Sequence, residues 1–279
     1  MPVPPRIARG LARMLRGEKA VERAKRLSFR DLGHGYDPFG LHPDFIGLGD
    51  ALVAPLYEKY FRVRSYNHHH IPTEGPAVLA CNHSGTLPMD GAMLWMDVWR
   101  NTEPPRAPRA VADYFVPSLP VLGTLFARGG VVGGSRGNAK ALLENGEILM
   151  IFPEGVPGIG KPFSQRYQLQ EWRKGHCELA IRHGAPVVPV GLVGAEEQMP
   201  QLFRIPIKGP LPYIPVPATL FPLPVRYHIH YGEPIPVHED YTPEQADDPD
   251  ALEEAAQRVK DAVQSLLDEG LQQRKGVFR

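Results

Sequence analysis

Short apolar runs alternate along this chain with longer amphipathic ones, and Gly, Pro and Asn punctuate their ends. PAVLACN (76–82) is a compact apolar run that stops at polar turn residues, as a buried strand does. MDGAMLWMDVW (89–99) reads as a helix, with Trp95 and Trp99 at i, i+4 on a core-directed face. AVADYFV (110–116) reads as a second strand, and GGVV (129–132) as another or its start. NAKALLENG (138–146) is a helix closed by Gly146, and EILMIF (147–152) is a strand apolar on both faces. EWRKGHCELAIRHG (171–184) reads as a helix ending at Gly184, followed by the apolar strand PVVPVGLV (186–193). VRYHIHYG (225–232) alternates and predicts a half-exposed strand. Beyond residue 250, Leu252, Ala255, Val259, Ala262, Val263, Leu266 and Leu267 share one face of a long helix. Strands alternating with helices predict an α/β fold: a single domain with a largely parallel mixed sheet flanked by helices.

Two segments depart from that rhythm. Residues 1–30 carry Arg6, Arg9, Arg13, Arg16, Lys19, Arg23, Lys25, Arg26 and Arg30 against only Glu18 and Glu22. Ile7, Leu11, Met14, Val21, Ala24 and Leu27 recur there at helical spacing, with Gly10 and Gly17 as interruptions. A basic amphipathic helix suits an anionic lipid surface; the alternative is a solvated helix packed on the domain. PQLFRIPIKGPLPYIPVPATLFPLP (200–224) is rich in both proline and large apolar residues. Proline argues against regular structure, so it reads as a loop packed over the core, or as an apolar cover facing a lipid chain or a bilayer.

Composition narrows the functional classes. A formal net charge of zero does not select nucleic acid as a partner. Cys81 and Cys177 stand at no metal-ligand spacing, which fits a reducing compartment. The N-terminus lacks the apolar stretch of a signal peptide, and no run of apolar residues is long enough for a membrane-spanning helix. A cytoplasmic protein is expected, with any membrane contact peripheral.

Three stretches carry candidate chemistry. In ACNHSGTLPMDG (80–91), a Gly-Thr-Leu-Pro turn could fold Asp90, at a helix start, back onto His83, at a strand end. A histidine oriented by a carboxylate is a minimal general base near neutral pH. The alternative is a structural histidine and a helix cap. GGSRG (133–137) matches the G-x-S-x-G elbow of serine hydrolases, with Ser135 as nucleophile and His228 or His230 as its base. It also reads as an anion site, with glycine N–H groups and Arg136 at a helix start. In FPEGVPGIGK (152–161), Glu154 directly follows an apolar strand and Lys161 follows a glycine-rich loop, so both are candidates for a site at the sheet's carboxyl end.

In chain order, NHSGTLPMD, GGVVGGSRG, FPEG and PVVPV resemble the four blocks of the glycerolipid acyltransferase superfamily. These are the lysophospholipid acyltransferases, which include 1-acylglycerol-3-phosphate acyltransferase. The resemblance spans residues 60–235, and the runs FPEGVPGIGKPFSQRYQLQEW and PVVPVGLVGAEE look like a bacterial branch. It implies an acyltransferase domain, expected over 51–240; the charge pattern before it and the apolar face after it give a basic amphipathic N-terminal extension (1–50) and a C-terminal helix packed on the domain (241–279). It implies that His83 takes a proton from an acceptor hydroxyl, that Asp90 orients His83, and that the hydroxyl attacks an acyl thioester directly. Arg136 matches the phosphate-binding arginine and Gly130 the glycine opening that block. Glu154 and Gly155 match the block that helps hold the glycerol part, and Pro189 the block that shapes the acceptor or acyl site. Asn82 precedes the base as is usual, and both Asn82 and Lys161 are expected in the substrate-binding set. The implied donor is acyl-CoA or acyl carrier protein and the implied acceptor a lysophospholipid, with no metal or cofactor, on the inner face of a membrane. Two departures bear on this: six residues separate His83 from Asp90 where the family has four, and Gly133 and Gly134 replace bulky residues before Arg136. A serine hydrolase using Ser135 and a non-catalytic lipid-binding relative remain as alternatives.

Overall fold

The computed structural model describes residues 3–84, 87–113, 116, 119–207 and 213–279. Its central strands are β1 (Arg64–Tyr66), β2 (Ala77–Cys81), β3 (Arg109–Ala112), β4 (Val132–Gly133), β5 (Ile148–Ile151), β6 (Val187–Val193) and β9 (His228–Tyr231). They form one seven-stranded sheet in the order β1-β9-β6-β2-β5-β3-β4. Every pairing within these strands is parallel except β6 with β9. The mixed, largely parallel α/β sheet is therefore as expected. β2, β5 and β6 are apolar on both faces because both faces are covered.

One face, with Leu79, Cys81, Met150, Val188 and Leu192, packs under α3 (Pro43–Pro55) and α4 (Met89–Asn101). The other, with Val78, Ala80 and Leu149, packs on α6 (Arg136–Glu144), α8 (Gly175–Arg182) and α10 (Pro249–Gln273). Trp95 and Trp99 are buried and stacked, ring centroids 6.3 Å apart. Asp97, buried on α4, accepts hydrogen bonds from Tyr57, Ser65 and Tyr231, which fastens the helix to β1 and β9. Burial pushes the Asp97 carboxyl up.

Several sequence expectations change. β9 is buried along its whole length, not half-exposed, because α10 covers the side that carries the histidines. Gly270 makes room there: a Cβ at 270 would stand 2.8 Å from His230 Nε2. α8 starts only at Gly175, because residues 171–174 run as irregular backbone and Arg173 N donates to Pro153 O.

The N-terminal segment forms α1 (Pro5–Arg16) and α2 (Glu18–Lys25), broken at Gly17 (φ 78°) but not at Gly10. α1 buries Ala8 and Ala12 toward α3 and leaves Ile7, Leu11, Met14 and Leu15 exposed. Arg9, Arg13 and Arg16 pair with Asp44, Glu18 and Glu58. Much of the expected free positive charge is thus locally neutralised. α3 runs through residue 50, and Ile46 and Ala54 share one core with Leu79.

The proline-rich stretch holds two antiparallel strands, β7 (Gln201–Pro206) and β8 (Tyr213–Pro217), with residues 208–212 between them outside the described set. A two-stranded ribbon has free edges on both sides, so its prolines need not give up ladder donors. The ribbon is exposed and does not lie over the core.

Gly191 faces α10 at close range: a Cβ there would stand 2.9 Å from Leu266 Cβ and 3.2 Å from the Leu266 carbonyl carbon. We expect Gly191→Ala to cost roughly 1–3 kcal/mol by pushing α10 off β6. Thermal melting checks this, with a lowered midpoint expected; an unchanged midpoint would show that the helix can yield.

Candidate active site

β2 leaves the sheet at its carboxyl end through Asn82. The Asn82 side chain is fully buried, donates to Leu192 O at 3.1 Å and accepts from Leu192 N at 2.8 Å. The amide, expected to meet substrate, is instead spent on fastening β2 to β6. That fixes where His83 emerges.

His83 Nδ1 lies 2.6 Å from Asp90 Oδ2. Asp90 sits in the first turn of α4 with no exposed surface. Ser84 N donates to its Oδ2 at 3.0 Å and Gly91 N to its Oδ1 at 2.7 Å. A carboxylate so placed draws the imidazole proton to Nδ1 and leaves Nε2 as the basic lone pair. The six-residue spacing is therefore compatible with contact; Gly85 and Thr86 of that turn lie outside the described residues. The His83 ring stacks on Phe152 with centroids 4.4 Å apart and stays partly open to solvent.

Glu154 grips the same residue from behind. Its Oε1 accepts from His83 N at 3.0 Å, and its Oε2 accepts from Gln170 N at 2.9 Å. Lys161 Nζ lies 3.2 Å from both Glu154 and Glu196, and Tyr167 N donates to Glu196 at 2.9 Å. All three charged side chains are buried. Glu154 and Lys161, expected to hold substrate, thus form a frame around the backbone of His83. Glu196 was not singled out from the sequence; its place just after a central strand, in VGAEE, was the only signal. α7 (Val156–Ile159) closes over this frame. A Cβ at Gly158 would stand 3.0 Å from His83 Cβ and 2.9 Å from Glu154 Cβ, so only glycine fits. A cleft lined by Ser84, Gly158, Lys161, Phe163, Arg166 and Glu196 opens alongside.

The remaining expected residues separate. Gly155, at φ 57°, lies under the exposed Arg173: a Cβ there would stand 3.5 Å from Arg173 Cζ. Arg173 was missed because it lies in a run that reads as helix. Arg136, at the first residue of α6, is 82% exposed and pairs with Glu178 on α8 at 2.9 Å. β4, which leads to it, is three strands from β2, or about 14 Å at ordinary strand spacing. Gly130 accepts at its carbonyl from Arg109 Nε at 3.0 Å. Arg109 is level with Leu149 and Val78, five residues before His83, or about 16 Å along the strand direction. Gly130 therefore belongs to the opposite end of the sheet. Pro189 sits beside Ala80 within β6, and its carbonyl accepts from Gly232 N.

The hydrolase reading fails on geometry. Ser135 has an extended backbone (φ −117°, ψ 148°) and caps α6 by accepting from Asn138 N at 3.1 Å. His228 and His230 lie on β9, five strands away from β4. Cys81 is buried, and burial pushes its thiol well up, so it is no nucleophile either.

Burial pushes the Glu196 carboxyl up to about 7, against the opposing charge of Lys161. The folded protein thus holds this proton more tightly than the unfolded chain. The associated stability is fully present below about pH 4.5 and is lost as pH rises through about 7. We expect wild type to lose more stability between pH 5 and pH 8 than Glu196→Gln does, by urea midpoints. Equal losses in the two proteins would show that Glu196 does not titrate in that window.

Comparisons with known proteins identify the family and the fold. The family model described as Acyltransferase matches residues 62–193. An uncharacterized protein of Mycobacterium tuberculosis is 35% identical over 261 residues, covering 88% of this chain and 72% of its own length. A human protein titled DGAT1/2-independent enzyme synthesizing storage lipids is 28% identical over 226 residues, 77% of this chain and 65% of that one. The crystal structure of the 1-acyl-sn-glycerophosphate (LPA) acyltransferase PlsC from Thermotoga maritima shares the fold, with a TM-score of 0.55 at 17% identity over 98% of this chain and 100% of that chain. By family model, by the extent of the mycobacterial relative and by fold, this chain belongs to the acyltransferase family and is an acyltransferase.

Proposed function

We propose that the protein moves a fatty acyl group from acyl-CoA or acyl carrier protein to the hydroxyl of a lysophospholipid, with His83 as general base. The observation that carries this is the 2.6 Å His83–Asp90 contact, which leaves Nε2 as the basic nitrogen of a partly exposed ring. Nε2 takes the proton of the acceptor hydroxyl as that oxygen attacks the thioester carbon. The C–O bond forms, the C–S bond breaks, and the departing thiolate takes the proton back from the imidazolium. Asp90 stabilises the cation in between. The titles of the human relative and of PlsC support a glycerolipid acceptor.

Arg173 is the cation we assign to an anionic headgroup. It is exposed, lies on Gly155 next to Glu154, and has no ion-pair partner among the described residues. Arg136 is engaged by Glu178, which makes it the weaker candidate. No described helix is long and apolar enough to cross a membrane. We assign peripheral docking on the cytoplasmic face of a membrane to α1, through its exposed Ile7, Leu11 and Met14 more than through its paired arginines.

Acyl transfer from labelled acyl-CoA to a panel of lysophospholipids and diacylglycerol tests the chemistry. His83→Ala is expected to lose activity by roughly 10²–10⁴-fold. Ser135→Ala should keep most of it. Arg173→Ala should raise KM for anionic acceptors and spare diacylglycerol. Full activity in His83→Ala would end the general-base assignment, and an equal effect of Arg173→Ala on both acceptor types would end the headgroup assignment. Replacing Leu11 and Met14 with Ser should weaken sedimentation with anionic vesicles, and unchanged sedimentation would remove α1 as a docking element.

A further inference from the structure

Proton transfer at His83 does not involve the β7–β8 ribbon, yet the ribbon is joined to the site. Tyr213 Oη donates to Val156 O at 2.6 Å, and Arg204 donates to Gly160 O. The Tyr213 ring occupies the space a side chain at Gly160 would need. α7, between these anchors, is the element whose Gly158 touches His83. The inner side of the ribbon therefore rests on the lid of the base.

Among the described residues nothing covers its outer surface. Leu202, Phe203, Ile205 and Ile214 are exposed on the two strands. In the turn after β8, Leu220 and Phe221 are 89% and 79% exposed. That turn is tied at both ends and does not hang free. Ala218 N donates to Pro200 O and Leu223 N to Gln198 O, while Tyr60 Oη donates to Pro222 O. The backbone thus holds two large apolar side chains out in water. A lone ribbon is marginal in water, so it needs an apolar neighbour.

We propose that the ribbon and its 220–221 tip insert into the surface of an anionic lipid bilayer and hold the mouth of the His83 site against it. The proposal rests on the lipid-acceptor function above and names the surface through which that acceptor enters. Charge favours this occupant: from Gln198 to Gly232 the sequence holds Arg204, Lys208 and Arg226 and no Asp or Glu. A second protein strand is a poor match, because Pro206, Pro215 and Pro217 withhold edge donors. The segment before α5 (Leu122–Arg128) also exposes an apolar side chain, with Val121 73% exposed.

The test uses the full chain and phosphatidylglycerol–phosphatidylcholine vesicles. Trp95, Trp99 and Trp172 are all buried, so Phe221→Trp supplies a reporting indole on the surface. We expect its emission to shift to the blue on vesicle binding and to be quenched by lipids brominated on their acyl chains. Phe203→Ser with Phe221→Ser should weaken vesicle sedimentation by at least about tenfold. The same variant should keep its thermal midpoint, since both side chains are exposed. It should also keep acyl transfer to a short-chain acceptor dissolved as monomer. Unquenched emission from the introduced indole, together with unchanged sedimentation of the serine variant, would overturn the proposal. So would a wild-type dimer that the serine variant converts to monomer without loss of vesicle binding, since the occupant would then be a second copy. Sedimentation and quenching do not depend on turnover, so they decide the ribbon's role even if every acyl-transfer assay fails.

Discussion

His83 is held by two buried carboxylates, Asp90 on its ring and Glu154 on its backbone N–H. Each carboxylate is out of contact with water, and each would be costly to bury without donors. Backbone N–H groups supply those donors at Ser84, Gly91, His83 and Gln170. The local chain path is therefore dictated by where acceptors need donors. Strand β2, the first turn of α4 and the loop after β5 must all meet at one point for these bonds to form. Much of the site's architecture follows from that meeting.

The two ends of the sheet divide the polar work. At the carboxyl end the buried groups surround a base whose second nitrogen has no hydrogen-bond partner among the described residues. At the amino end Arg109, fully buried, pairs with Asp37 at 2.7 Å and bonds to Gly130 O. That cluster closes residues 37–41 and the segment after α5 (Leu122–Arg128) onto the start of β3. A buried charge of this kind is strongly destabilising to break and makes no contact with His83. It explains why a glycine in a family-like block can be needed for packing alone.

Much of the fold was legible in the sequence because it is local. β2, α4, α6, β5, β6 and α10 each declare themselves by apolar period and by their closing residues. Errors arose where a neighbour decided burial. The alternation in VRYHIHYG signals a wet face, yet α10 covers it, because Gly270 admits the ring of His230. Prolines in 200–224 signal irregular chain, yet an unpartnered ribbon tolerates them. The basic N-terminus signals a cationic face, yet Asp44 and Glu58, distant in sequence, neutralise part of it.

The site divides along the same line. Sequence alone put His83 and Glu154 at one sheet end, because each directly follows an apolar strand, and offered the pairing of His83 with Asp90 as one of two readings of that turn. Tertiary structure alone decided that Asn82, Glu154 and Lys161 form a frame, that Arg136 turns to Glu178 and Gly130 to the far end, that Glu196 joins Lys161 in the frame and that Arg173 lies on Gly155. Those outcomes depend on strand order and on contacts between segments far apart in the chain, and a linear pattern of residues carries neither.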